Sequence, residues 1–136
     1  MGTQQLLLIV VGVILIGIMV IIGVFMFRDQ AAATNRDAMT NDLVHLASGA
    51  QKYYRRPPVM GGGGGSFDGL TLSDITSKPR NANGAYHLAT DPVSGNPTSV
   101  NIIGTGIELG LDGTNPVTVV MVVFPDSVSV DNTSGN

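Results

Sequence analysis

The stretch LLLIVVGVILIGIMVIIGVFMF, residues 6–27, contains 22 consecutive residues without a polar or charged side chain. As a helix it would extend about 33 Å, which is close to the thickness of the hydrocarbon core of a bilayer. A cleaved signal peptide is the alternative, but its apolar core is normally only about 7 to 15 residues long and follows a basic stretch. No Lys or Arg precedes Arg28, and no A-x-A pattern follows the run. We therefore expect the run to be retained and to span a membrane.

Residues 28–56 are expected to continue the same helix. The first proline is at position 57, and the segment before it consists mostly of good or neutral helix formers. The predicted helix therefore runs from about Thr3 to about Arg55, and the double proline at 57–58 ends it. Apolar residues in its second half recur at steps of four and three, which places them on one face and makes this half amphipathic. These residues are Met39, Leu43, Leu46, Ala50 and Tyr53.

The composition changes after this helix, because all seven prolines and 13 of the 18 glycines lie in residues 57–136. Residues 57–84 are expected to form a Gly/Pro-rich connector with one helical turn near 73–77. Within it, MGGGGGS at 60–66 is expected to be a flexible link. The alternative is a loop whose bare backbone passes close to a neighbouring segment.

Residues 85–136 are expected to form a small antiparallel β-sheet head. Four segments in it are rich in β-branched and aromatic residues and are bounded by turn sequences such as NANG and DPVSGNP. The chain is therefore predicted to have an α+β fold. Its long helix is apolar in the part formed by residues 1–27 and amphipathic in residues 28–56, and the amphipathic part packs against the sheet. The predicted strands are 85–90, 99–104, 117–124 and 127–130.

The charged and reactive residues exclude several functions. The net charge of −3 combines zero on residues 1–27, +2 on residues 28–56 and −5 on residues 57–136. Without a clustered basic run, no dedicated nucleic-acid site is expected. The absence of cysteine removes disulfides, thiol nucleophiles and cysteine-based metal sites. His45 and His87 have no cluster of carboxylates at ligand spacing, so neither a metal, a cofactor nor a catalytic site is expected, and the chain is predicted not to be an enzyme.

The order of these features resembles that of type IV pilins, the subunits of bacterial surface filaments. The resemblance rests on the initial MGTQQLLLIVVGVILIGI, the helix continuing through an amphipathic half, the glycine-rich connector and the small sheet. It implies a homopolymer assembled through the N-terminal helix, with a role in adhesion, motility or surface attachment. It also implies an inner-membrane anchor before assembly, processing by a prepilin peptidase, a pilus assembly machinery, and a final location at the bacterial cell surface.

The resemblance also assigns roles to the first residues. Pilins lose a short basic leader and are methylated at the new terminus, which implies that Met1 is the processed and methylated residue, with cleavage after Gly2 as the alternative. Intact-mass and N-terminal peptide analysis tests this expectation, and a terminus at Thr3 would contradict it. Pilins usually carry a glutamate at position five, where this chain has Gln5 beside Gln4. An amide would pair with a terminal ammonium more weakly than a carboxylate, by about 1 kcal/mol or more.

Two further departures from the family are Ile22, where pilins often have a proline, and the missing C-terminal disulfide loop. Assembly is expected to depend on close packing in the apolar run, because lipid is as apolar as a filament core. The three glycines of the run would permit close approach of helices, and they are also the points at which the helix could locally melt. The alternative is that they are ordinary glycines of a membrane helix. The expected assembly residues are Gln4, Gln5, Leu6, Gly12, Val13, Ile16, Gly17 and Gly23.

The charge partition predicts contacts between the basic groups of residues 28–56 in one copy and acidic head groups of its neighbours, with a solvated face as the alternative. Two other functions remain open: a monomeric membrane-anchored binding module and a pseudopilin of a secretion system. An amphipathic face beyond what covers the chain's own sheet would favour a filament over a simple tether. The expected basic groups are Arg28, Arg36, Lys52, Arg55 and Arg56, and the acidic ones are Asp68, Asp91, Glu108 and Asp112.

Overall fold

A computed structural model describes residues 2–95 and 98–131 of the chain. One long helix, α1 (Gly2–Arg55), precedes a 3₁₀ turn (Pro58–Met60) and a one-turn helix, α2 (Leu72–Ile75). The four strands form one antiparallel sheet in sequence order, so the predicted α+β fold with a long helix against an antiparallel sheet is confirmed. The strands are β1 (Gly84–Leu88), β2 (Val100–Leu109), β3 (Pro116–Val123) and β4 (Val128–Asp131).

Helix α1 contains 54 residues without interruption, which corresponds to a length of about 81 Å. All its buried residues lie in the second half, where they form one face against the sheet. Of the five apolar residues that the sequence places on this face, four are buried and Tyr53 packs partly buried against the same core. The buried residues of α1 are Ala32, Asn35, Met39, Leu43, Leu46, Ala47 and Ala50.

The sheet covers this half of α1 with one face, and the alternation along the strands decides which residues are buried. In β3 every second residue from Val117 to Val123 is buried, as expected for a strand with one face on a core. Its neighbour β2 continues the layer, with Ile102 paired to Met121. At one edge, Tyr86 of β1 is also buried against the helix. The amphipathic half of α1 therefore supplies the second layer that a small sheet needs.

A glycine of β2 makes room for a polar side chain of α1. Asn35 is only 7% exposed, and its Nδ2 donates to the backbone oxygen of Asn83 at 2.9 Å. The side-chain oxygen of Asn35 lies against Gly106, where an added Cβ would collide with it. A larger residue at position 106 would therefore have to displace the Asn35 side chain from this place.

Strand β2 continues well beyond the predicted segment 99–104 and ends at Leu109. The register shifts between Thr105 and Leu109, and pairing resumes where Leu109 faces Pro116. Such an irregularity is typical of a β-bulge, which changes the direction of a strand. The prediction ended too early because Gly106 and Glu108 are poor strand formers, and pairing with β3 overrides their local preference.

The glycine run at 61–65 is not a flexible link, and that prediction is wrong. The backbone N–H groups of Gly63 and Gly65 donate to the carbonyls of Tyr53 and Tyr54 at 2.9 and 2.8 Å. The last carbonyls of a helix have no partner within the helix, so these bonds cap the end of α1. A Cβ on Gly63 would collide with neighbouring backbone. The alternative interpretation, bare backbone passing close to a neighbouring segment, describes the run.

The rest of the connector also packs on the head. Phe67 and Leu70 are fully buried, and the ring centroid of Phe67 lies 4.8 Å from that of Tyr54. The predicted helical turn near 73–77 corresponds to α2 (Leu72–Ile75), one residue earlier at its start. The connector therefore contributes large apolar side chains to the core of the head.

Candidate functional site

The apolar half of α1 carries most of the exposed large apolar side chains in the described part of the chain. Its large side chains between Leu6 and Phe27 are all exposed, from 44% at Val11 to 76% at Phe27. Among the described residues, α1 is the one helix long and apolar enough to cross a membrane, and none of its most apolar window is buried by the rest of the chain. Exposed apolar patches of more than a few hundred Å² mark contact sites for membranes or other proteins.

The unbroken helix places several of the predicted assembly residues on one face. Successive helical residues turn by about 100°, so Gln5, Gly12, Ile16 and Gly23 lie within about 40° of one another around the axis. At both glycines the position of a Cβ is open, with nothing within 4 Å of it besides the adjacent residues and the helix's own backbone. This face therefore carries two shallow positions on which another helix can approach.

The remaining predicted assembly residues are spread around the same helix. Val13 is 65% exposed, Leu6 is 63% exposed, and the Cβ position of Gly17 is open like those of the other two glycines. Gln4 is exposed at the start of the run. Met1, the expected processing site, lies outside the described residues.

The basic groups expected to contact neighbouring copies lie along the second half of α1 and at its end. Arg36 is half-buried, whereas the other four are exposed. The four acidic head residues expected to meet them, Asp68, Asp91, Glu108 and Asp112, are exposed as well. Contacts between these groups in different copies stay a prediction.

Two polar residues near the end of α1 hold the β3–β4 turn. The Arg55 Nη2 donates to the backbone oxygen of Pro125 at 3.2 Å, and the Gln51 Nε2 donates to that of Phe124 at 3.0 Å. The same Gln51 amide reaches the Ser127 oxygen at 3.3 Å. Arg55 thus has a role within its own subunit that the sequence analysis did not predict.

Asp42 organises a polar cluster that the sequence analysis missed. Its Oδ2 accepts hydrogen bonds from Asn81 Nδ2 at 2.8 Å, Asn83 Nδ2 at 2.7 Å and Tyr86 Oη at 2.6 Å. The three donors come from the turn before β1 and from β1 itself, so one carboxylate ties α1 to the first strand. The NANG turn was visible in the sequence, but its distance of about 40 residues from Asp42 hides the contact.

These contacts change the acidity of both partners. Burial alone would raise the pKa of Asp42, but the hydrogen bonds from Asn83, Tyr86 and Asn81 outweigh it and hold the pKa below its ordinary value of 3.8. Burial and the bond to Asp42 raise the pKa of Tyr86 above its ordinary value of 10.0, because both favour the protonated phenol.

A pH-dependent stability of the head follows from Asp42. Because its pKa is lowered on folding, its contribution is complete above the ordinary value of 3.8 and is lost as the pH falls through the lower folded-state pKa. Denaturant unfolding at pH 7 and pH 3 should therefore show a smaller loss of stability in Asp42→Asn than in the parent. Asp37→Asn, an exposed position on the same helix, is the control and should keep the parent's pH profile. An equal pH response in Asp42→Asn and the parent would contradict the assignment.

Metal-ligating side chains do not cluster in residues 2–95 and 98–131, where no group of three or more His, Cys, Asp or Glu is placed to hold an ion. His45 on α1 and His87 on β1 are both exposed.

No protein-family model matches the chain, and neither a curated protein nor a solved structure matches it. The long N-terminal apolar helix and the small antiparallel sheet are nevertheless consistent with a pilin-like fold. Function is therefore inferred from the chain's own helix, sheet and exposed surfaces.

Proposed function

We propose that the chain is a structural subunit, not an enzyme, that polymerises through the first half of α1 into an extracellular filament of the type IV pilus kind. The observation that carries the proposal is the division of one unbroken helix. Residues 6–27 are apolar and exposed, while the second half of the same helix is the core of the head. A rigid apolar rod with a compact head at one end suits stacking around a common axis.

The apolar half requires a nonaqueous environment. Each large apolar side chain gains about 1.5 to 3 kcal/mol on burial from water, so a stable monomer with this half in solution is excluded. A membrane satisfies the requirement before assembly. Transfer from lipid to a filament core gains little from the hydrophobic effect, so close packing must favour the filament. Gly12 and Gly23, open and on one face, support such packing.

A monomeric membrane-anchored binding module is the second candidate, and one observation favours it. The apolar face of residues 28–56 is covered by the chain's own sheet, so this face does not require another copy. What favours the filament is the other half of the helix, where two open glycines share a face with Gln5 and Ile16. A tether surrounded by lipid has no need of such a face.

The proposed partners are copies of the same chain, the inner membrane before assembly, and a prepilin peptidase with a pilus assembly machinery. The proposed final location is the bacterial cell surface. No nucleic-acid or cofactor site is part of the proposal.

Microscopy of cell-surface material tests this function. Filaments sheared from producing cells and imaged by negative stain should contain the chain as their main component by mass spectrometry, and cells lacking the gene should have none. If the chain stays in the membrane fraction, extracts in detergent as a monomer and never occurs in sheared filaments, the tether is correct and the filament proposal fails.

A further inference from the structure

The end of the β2–β3 hairpin projects beyond the core of the head. We call residues 107–115 the hairpin tip. Its three large apolar side chains are exposed: Ile107 by 65%, Leu109 by 42% and Leu111 by 66%. The sheet face that packs on α1 ends before them, since the burial of alternate residues in β2 stops after Gly104. These side chains therefore belong to no packed layer of the described head.

The hairpin tip lies at the level of α1 where the apolar run ends. A cavity of about 470 Å³ separates residues 25–31 of the helix from residues 108–113 of the tip, and Phe25 and Phe27 line it together with Leu109 and Leu111. Phe27 is the last residue of the apolar run, and Arg28 is the first charged side chain of the sequence. The tip thus stands beside the boundary between the apolar and the polar parts of the helix.

The backbone of the tip is suited to a poorly hydrated environment. Asp112 Oδ1 accepts from the backbone N–H groups of Thr114 at 3.0 Å and Asn115 at 3.1 Å, and Gly110 N–H donates to the Asn115 oxygen at 2.7 Å. Polar backbone groups satisfied within the turn cost less on leaving water than open ones. The turn also fixes Leu111 at the outer end of the hairpin.

We propose that, while the apolar half of α1 spans the membrane, the hairpin tip rests on the bilayer surface with Leu109 and Leu111 in the interfacial layer. This inference rests on the membrane-anchored stage of the proposed function. If Phe27 marks the edge of the hydrocarbon, the headgroup layer, about 5 to 8 Å deep on each side, begins beside the tip. Apolar side chains held at this depth leave water without entering the hydrocarbon core, as in interfacial helices.

The charges around the cavity indicate which lipid surface fits. Three acidic residues line the cavity, Asp29, Glu108 and Asp112, against one basic residue, Arg28. An anionic surface would be repelled by this excess of negative charge. The expected occupant is therefore a zwitterionic phospholipid surface, and phosphatidylcholine is the appropriate probe.

Site-specific fluorescence can test this docking, because the chain contains no cysteine and a single introduced thiol carries the only label. The full chain is placed at one copy per phosphatidylcholine nanodisc with an environment-sensitive dye at Leu111→Cys or, independently, Leu109→Cys. Val13→Cys reports membrane insertion of the helix. Val59→Cys is the water-exposed control. Val59 is 97% exposed and lies beyond the end of α1, which is about 42 Å along the helix from Phe27.

At both tip positions we expect a blue-shifted emission and quenching by lipids that carry a shallow nitroxide, with neither effect at Val59→Cys. Val13→Cys should instead be quenched by lipids whose nitroxide lies deep in the acyl chains, because Val13 is in the middle of the apolar run. If Val13→Cys is quenched but the tip labels behave like Val59→Cys, the docking proposal is overturned and the membrane anchor is supported. Absence of quenching at Val13→Cys would overturn both. A blue shift at the tip that requires several copies per disc would identify a second copy as the occupant and also overturn the proposal.

Discussion

Val13→Asp is expected to abolish filaments. Val13 lies in the middle of the apolar run and is 65% exposed on the isolated subunit, so assembly through this helix would bury it among other helices. An unpaired carboxylate in an apolar bundle costs several kcal/mol per subunit, about 2.5 to 3.5 kcal/mol even on the most permissive membrane scales. Each subunit of a polymer would carry this cost. The measurement is the amount of sheared filament relative to the amount of subunit in the cell.

Val59→Asp is the matched control, because it makes the same change at a connector position that is 97% exposed, and it should assemble like the parent. The membrane fraction must be measured as well, since the new charge also weakens insertion of the helix. Filaments of Val13→Asp at the parental level would show that residues 6–27 are not the filament core, and the proposed mode of assembly would be wrong.

Leu43→Ala is expected to destabilise the head more than truncations of α1 side chains that lie outside its buried face. Leu43 is fully buried between helix and sheet, and removing a buried leucine side chain costs about 2 to 5 kcal/mol. A domain of this size has a total stability of only about 5 to 15 kcal/mol. Denaturant unfolding of the full chain in detergent, followed by the signal of the sheet, should therefore show a large shift of the midpoint.

Val44→Ala provides the comparison for this experiment. Val44 is the next residue along the helix but is 44% exposed, so its truncation leaves no cavity and should change stability by less than about 1 kcal/mol. Equal midpoints for the two variants would mean that the second half of α1 does not pack on the sheet through Leu43.

Features with a local cause could be predicted from the sequence. The continuous helix followed from the absence of proline before position 57, and its buried face followed from the three-and-four spacing of Met39, Leu43 and Leu46. The four strands followed from β-branched runs between turn sequences. In each case the residues that decide the element lie within the element or directly beside it.

Features that depend on distant partners were missed. The end of β2 at Leu109 depends on pairing with β3, and the role of Asp42 depends on donors about 40 residues away. The glycine run suggested flexibility because glycine alone favours many conformations, whereas the carbonyls at the end of α1 select one of them. For the candidate site, the apolar run was evident, but the position of the hairpin tip beside Phe27 required the register of the sheet.

The continuity of α1 also determines how the subunit would carry a mechanical load. Because the exposed half and the core of the head belong to one 54-residue helix, a pull along its axis reaches Met39 and Leu43 through backbone hydrogen bonds, without passing a hinge. The sheet packs along the side of the helix, so such a force slides the two layers past each other and loads all their contacts together. The subunit should therefore resist axial tension better than a force that peels β4 from the edge of the sheet.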